Sequence, residues 1–109
     1  MKIVFAAKGK DWDAIIDPYF GRAEGFIVLD ESTMSLTWES NEENKNGDQG
    51  AGIQSGQKVV GYNADVLIIG GHIGPKANDV LKTSTMKIYQ VSGETTVKQA
   101  YDKFKAGEL

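Results

Sequence analysis

Residues 65–69 read Asp-Val-Leu-Ile-Ile, a near-continuous apolar run that closes on Gly70-Gly71 and leads within a few residues to Pro75. This run constrains the fold more than any other part of the chain. A short, continuously apolar strand has two faces to bury, which is the pattern of a central parallel position covered by helices on both sides. A parallel neighbour needs a crossover, and crossovers of this kind carry helices. Pro75 suits the first helical position, where its missing N–H would be unpaired anyway. An α/β domain with helices packed on a sheet is therefore expected.

The other elements fit around that strand. Residues 2–7 form a first buried strand, followed by a glycine-containing charged turn at 8–13. Asp17-Pro18 signals a further turn. Residues 26–29 form a second strand. At 34–39, Met34, Leu36 and Trp38 alternate with Ser35, Thr37 and Glu39, a period of two that suits a half-exposed edge strand. The short link between these two strands predicts an antiparallel hairpin. Residues 41–50 are polar and mildly acidic and read as a flexible solvated loop. A helix is expected over 51–60, with Ile53, Val59 and Val60 facing inward and Gly61 as its stop. Ala77, Val80 and Leu81 mark the helix after Pro75, and residues 87–91 a fifth strand. The last helix starts at Thr96, with Gln99 placed for a capping box. Val97, Ala100, Tyr101 and Phe104 form its apolar stripe, and Gly107 ends it. The sum is a mixed five-stranded sheet with about three helices, one domain over residues 1–109.

Composition acts mainly by exclusion. The net charge is −3 with no long basic run, which argues against a surface that tracks nucleic-acid phosphates. The chain has no cysteine, so disulfides and thiolate-held zinc or iron–sulfur sites are ruled out. No apolar stretch approaches the roughly 20 residues that span a bilayer. The cytoplasm is the expected compartment, with no membrane partner.

Three segments carry the chemistry: residues 18–23 (Pro-Tyr-Phe-Gly-Arg-Ala), 49–52 (Gln-Gly-Ala-Gly) and 70–77 (Gly-Gly-His-Ile-Gly-Pro-Lys-Ala). Two of them put small residues where a loop becomes a helix, and helix starts offer unpaired N–H groups and the positive end of the dipole. Together with Arg22, Lys8 and Lys76 they suit an anion. Lys76 in a first helical turn opposes the dipole, which hints at a bound negative group. His72 is the one histidine. Its imidazole can take a metal, but a protein-only zinc site needs three or four ligands, so any metal would arrive already ligated. Asp11, Asp13 and Asp17 are not strand-borne, as two-metal nuclease chemistry requires. No Gly-x-Ser-x-Gly elbow or Walker spacing occurs. Binding without catalysis is expected.

With these segments in their order and spacing, the chain resembles the dinitrogenase iron–molybdenum cofactor biosynthesis domain family, which includes NifX, NifY and the C-terminal domain of NifB. The resemblance starts at Met1-Lys2-Ile3-Val4 and runs to Ala106-Gly107-Glu108-Leu109. It implies a ribonuclease-H-like fold without nuclease activity. The Gln-Gly-Ala-Gly-Ile-Gln version looks most like the orange-protein branch, whose members bind a molybdenum–copper sulfide cluster. Tyr19 and Gln49 stand where many members carry histidine, and His72-Ile73 where some carry cysteine. The resemblance implies a carrier or scaffold for an anionic molybdenum- or iron-containing sulfide cluster, not covalently bound. Lys8, Tyr19, Arg22, Gln49, Gly50, Gly52, Gly71, Gly74 and Lys76 would line its site, with His72 as direct ligand. The alternative is a non-catalytic interaction or regulatory module that meets iron–sulfur or cofactor assembly proteins without a metal of its own.

Overall fold

The continuously apolar run does sit inside a sheet. A computed structural model of the chain describes residues 1–45, 51–71 and 73–109. Its five strands are β1 (Lys2–Ala7), β2 (Gly25–Asp30), β3 (Ser35–Ser40), β4 (Val66–Ile69) and β5 (Lys87–Gln90), in the order β3-β2-β1-β4-β5. β1 pairs antiparallel with β2, and β2 with β3, as a meander with a short turn dictates. β4 lies parallel to β1 and to β5, so β1 and β4 point their carboxyl ends at one rim.

Among the described residues four helices accompany the sheet: α1 (Glu42–Lys45), α2 (Ala51–Val60), α3 (Pro75–Leu81) and α4 (Val97–Lys105). A 3-10 turn covers Phe20–Arg22. Alternation along the strands divides the core into two layers. Val4, Ala6, Phe26, Leu67 and Ile69 pack with Phe20, Val59, Ala77 and Leu81, which places the 3-10 turn, α2 and α3 on one face. Ile3, Phe5, Ile27, Leu29 and Ile68 pack with Val97 and Ala100, so α4 covers the other. Its Thr96 cap takes the expected form: the Thr96 hydroxyl accepts from the Gln99 N–H at 3.1 Å, and the Gln99 side chain accepts from the Thr96 N–H at 3.0 Å. Among the described residues no helix is long and apolar enough to cross a membrane.

Three details differ from the sequence expectation. Asn41 is fully buried rather than the start of a solvated loop, and the helical turn α1 follows it. A buried amide that can donate to two acceptors at once outweighs the polar character of its neighbours. Met34 lies outside β3, at a left-handed turn with φ of 54°, so the strand begins one residue later. Residues 14–16 do not merely lead into a turn. Ile16 bridges Ala7 and Ile15 bridges Thr96, which stitches this segment between the end of β1 and the start of α4.

Away from the rim, Glu31 ties β2 to α4. The Tyr101 hydroxyl donates to its carboxylate at 2.6 Å, and Lys105 lies 3.1 Å away. That hydrogen bond, with Lys105 helping, holds the Glu31 carboxyl below its usual range, and it pushes the Tyr101 phenol up to about 12. A depressed carboxyl stabilises the fold above its unfolded value of 4.5 and loses that contribution as pH falls through the folded value. Tyr101→Phe should therefore lower the melting temperature at pH 7, and the gap from the parent should shrink in melts run below pH ~4.5. A gap that stays constant down to pH ~3 would contradict this linkage.

Candidate functional site

The rim where β1 and β4 end is built by four backbone events. β4 is followed by Gly70, whose N–H donates to the Asp17 carbonyl at 3.2 Å. The approach is so close that a methyl group on Gly70 would stand 2.5 Å from that oxygen and 2.6 Å from Pro18 Cα. Only glycine admits the Asp17-Pro18 backbone there. Asp17 itself is buried. Its N–H donates to the Ala6 carbonyl at 2.8 Å, and its carboxylate accepts from the Tyr19 N–H at 3.0 Å and the Glu24 N–H at 3.4 Å. One acidic side chain thus shapes the whole turn that carries Tyr19, Gly21 and Arg22. Phe20 anchors the same turn by packing on Phe26, ring centres 5.5 Å apart.

The second event fixes that turn to α2. The Ser55 hydroxyl donates to the Gly21 carbonyl at 3.1 Å. The Asn41 amide donates to the Ala23 carbonyl and to the Ser55 oxygen, each at 3.1 Å. These polar groups are buried, and each bond replaces water that cannot reach them.

The third event sets α2 beside α3. A methyl group on Gly52 would meet Ala77 Cβ at 3.2 Å, and one on Gly56 would meet Val80 Cγ1 at 3.1 Å. The two small residues let the helices touch backbone to side chain. Residues 52 and 77 pair near the starts and 56 and 80 one turn on, so the helices run parallel with their N-termini side by side. The fourth event is the start of α3. Gly74 precedes Pro75 at the first helical position, and among the described residues, chain neighbours aside, none comes within 4 Å of where a Cβ would sit on Gly71 or Gly74. The space over these two glycines is open.

Of the expected site residues, Tyr19, Arg22, Gly52, Gly71, Gly74 and Lys76 therefore gather around one end of α2 and α3. Tyr19, Arg22, Gly71 and Lys76 are exposed there. Lys8 is exposed on the same rim and follows β1 directly, its N–H donating to the Ile15 carbonyl at 2.9 Å. The turn beyond it leans the other way. Lys98 and Val97 of α4 donate to the Trp12 and Ala14 carbonyls at 2.9 and 2.8 Å, which fixes residues 12–14 to the opposite face. Gln49, Gly50 and His72 lie outside the described residues. Among the described residues, no three of His, Cys, Asp or Glu come together to hold a metal ion.

Of the positioning residues, Asp17 and Gly70 were read only as parts of a turn and a glycine loop, and Asn41 and Ser55 were not singled out by the sequence. Asp17 carried a signal, since Asp before Pro often caps a turn with its own side chain. Ser55 and Asn41 carried none, because their value lies in a contact between elements 14 residues apart.

The chain matches the dinitrogenase iron–molybdenum cofactor family over residues 1–107. Among solved structures it is similar to the apo form of the orange protein from Desulfovibrio gigas, with 37% identity and a TM-score of 0.90, covering 98% of this chain and 88% of that one. It is also similar to a putative NifB protein from Thermotoga, with 28% identity and a TM-score of 0.82, covering 98% and 89%. None of the curated proteins matches it. A family match over nearly the whole length, with a relative of this identity, places the chain plainly: it belongs to the dinitrogenase iron–molybdenum cofactor family.

Proposed function

We propose that this protein is a small cytoplasmic, non-catalytic carrier or scaffold that binds an anionic metal–sulfur cluster containing molybdenum or iron, for cofactor assembly, storage or transfer. The observation that supports it most is the side-by-side start of two parallel helices, under a turn that presents Arg22. Two parallel dipoles repel at their shared positive end, and an anion there relieves the repulsion. Lys76 in the first turn of α3 adds a cation to a position that already disfavours one. The open space over Gly71 and Gly74 gives a bulky anion room to reach the backbone.

The donor set suits cargo that brings its own sulfur. The chain has no cysteine. What it offers is N–H groups, Arg22, Lys76 and Lys8, and in the sequence His72 as one imidazole. A thiometallate spreads its charge over soft sulfur atoms, so several moderate contacts hold it better than one strong bond. Tyr19, Gln49, Gly50 and Gly52 complete the lining in this reading. Iron–sulfur or cofactor assembly proteins are the partners it implies.

Reconstitution tests the reading. Apo-protein is incubated with tetrathiomolybdate, with and without copper, and separately with iron and sulfide, then desalted. Retained metal with charge-transfer absorption is the expected result, and a colourless, metal-free protein in all three arms would contradict it. Arg22→Ala should weaken retention by about 1.5–3 kcal/mol, the scale of a charged hydrogen bond, while the protein stays folded. His72→Ala should abolish direct coordination while retention through the other contacts persists. Unchanged retention in both variants would remove the site from this rim.

A further inference from the structure

The two edges of the sheet are treated differently by the sequence. β5 is only four residues long and opens on an exposed lysine, Lys87. Short edges and edge lysines are standard protection against pairing with another chain. β3 is six residues long and carries neither lysine nor proline. Its register with β2 is continuous from Ser35 to Ser40, with no bulge. Among the described residues, no backbone group of β3 bonds to any other main chain beyond β2. Along this edge Leu36 and Trp38 remain half-buried on the α4 face, and Met34 just before them is 48% exposed. The stripe continues into an open groove of about 360 Å³ lined by Trp12, Met34, Lys98 and Tyr101.

We infer that the β3 edge is a self-association surface, and that its occupant is the β3 strand of a second copy of this chain, paired antiparallel about a two-fold axis at Thr37. The pairing joins two five-stranded sheets edge to edge. An axis perpendicular to a continuous sheet keeps each face with its like, so it must pass through a residue rather than between two. Centred on Thr37, the strand is self-complementary. Leu36 faces the second copy's Trp38 and Trp38 its Leu36, which covers the apolar stripe from both sides. On the other face Ser35 meets Glu39, a hydroxyl donor opposite a carboxylate. Thr37 meets Thr37. No like charges stand opposite one another.

The neighbouring register, centred on Trp38, would bring Ser40 into the ladder. The Ser40 carbonyl is already taken by the Lys58 ammonium, which the Glu43 carboxylate holds in place at 2.7 Å. A register centred on Leu36 would need Met34 extended, and its φ of 54° forbids that. Thr37 is exposed and touches neither core layer, so it can be changed without disturbing the fold.

The two-fold axis through Thr37 makes the test sharp, because any charge placed there faces its own copy. Sedimentation equilibrium of the unaltered protein should show mass rising with concentration from 11.8 kDa toward twice that value. Thr37→Asp and Thr37→Lys should each stay folded, melting cooperatively, and each lose at least tenfold in dimer affinity. Mixed in equal amounts, the two variants should recover a dimer containing one of each, seen by native mass spectrometry. A protein that stays at monomer mass up to its solubility limit would overturn the inference. So would a dimer that either variant leaves intact, or a pair of monomeric variants that fail to combine.

Discussion

Gly70→Ala should cost about 3 kcal/mol of stability, at the upper end of what overpacking a tight contact produces. The added methyl would stand 2.5 Å from the Asp17 carbonyl oxygen and 2.6 Å from Pro18 Cα. Both obstacles are backbone, so no rotamer change relieves the clash. The neighbouring segment is also fixed, by the Asp17 N–H on the Ala6 carbonyl and by the Tyr19 N–H on the Asp17 carboxylate. Either β4 or the Pro18–Arg22 turn must give way, and the hydrogen bond from Gly70 to Asp17 is lost with it. The drop in melting temperature should be on the order of 10 °C for a domain of this size. Gly71→Ala is the matched control, since among the described residues, chain neighbours aside, none comes within 4 Å of its added methyl. Equal melting temperatures for the two variants would show that the Asp17-Pro18 approach is not as close as described. Gly70→Ala should also weaken cluster retention, because the displaced turn carries Arg22.

Asn41→Ala should cost about as much, roughly 3 kcal/mol, by a different route. Asn41 is fully buried, and its amide donates to the Ala23 carbonyl and the Ser55 oxygen. Truncation strands the carbonyl, removes one partner of Ser55 and leaves a cavity. Unsatisfied buried groups cost about 1–3 kcal/mol each. Ser55→Ala should be milder: the Gly21 carbonyl loses its donor and the Asn41 amide loses one acceptor, but that amide keeps its bond to the Ala23 carbonyl. The two side chains share a bond, so the double variant should be less destabilised than the sum of the singles, read from urea melts of all four proteins. Strict additivity would mean that Asn41 and Ser55 do not act as one unit.

The sheet was legible because its signals are local. The unbroken apolar run of β4, the period of two in β3 and the Thr96–Gln99 cap each fix an element without reference to the rest. The helices on the sheet followed from the crossover that a parallel neighbour of β4 needs. The site was legible only as a set of pieces. Glycines, Arg22 and Lys76 mark helix starts and turns, and the resemblance supplied their joint meaning. What brings them together was hidden, because it depends on pairs far apart in the chain. Gly70 reads as an ordinary loop glycine until the Asp17 carbonyl is seen against it. Asn41 reads as the first residue of a polar loop, and only its contact with Ser55 explains why it is buried. Met34 fits the alternation of β3 and yet falls in the turn, since a period of two says nothing about where the backbone leaves the sheet.

The proposed seat of the anionic metal–sulfur cluster is over the starts of α2 and α3, against the Tyr19–Arg22 turn. Amide chemical-shift mapping tests it most directly. Uniformly 15N-labelled protein is titrated with tetrathiomolybdate and copper under anaerobic conditions. The amides of Gly21, Arg22, Gly52, Gly71, Gly74 and Lys76 should move together and saturate, while those of Met34, Lys98 and Tyr101 on the far face stay fixed. Shifts concentrated around Met34 and Tyr101, or a spectrum that does not change at saturating cluster, would contradict it.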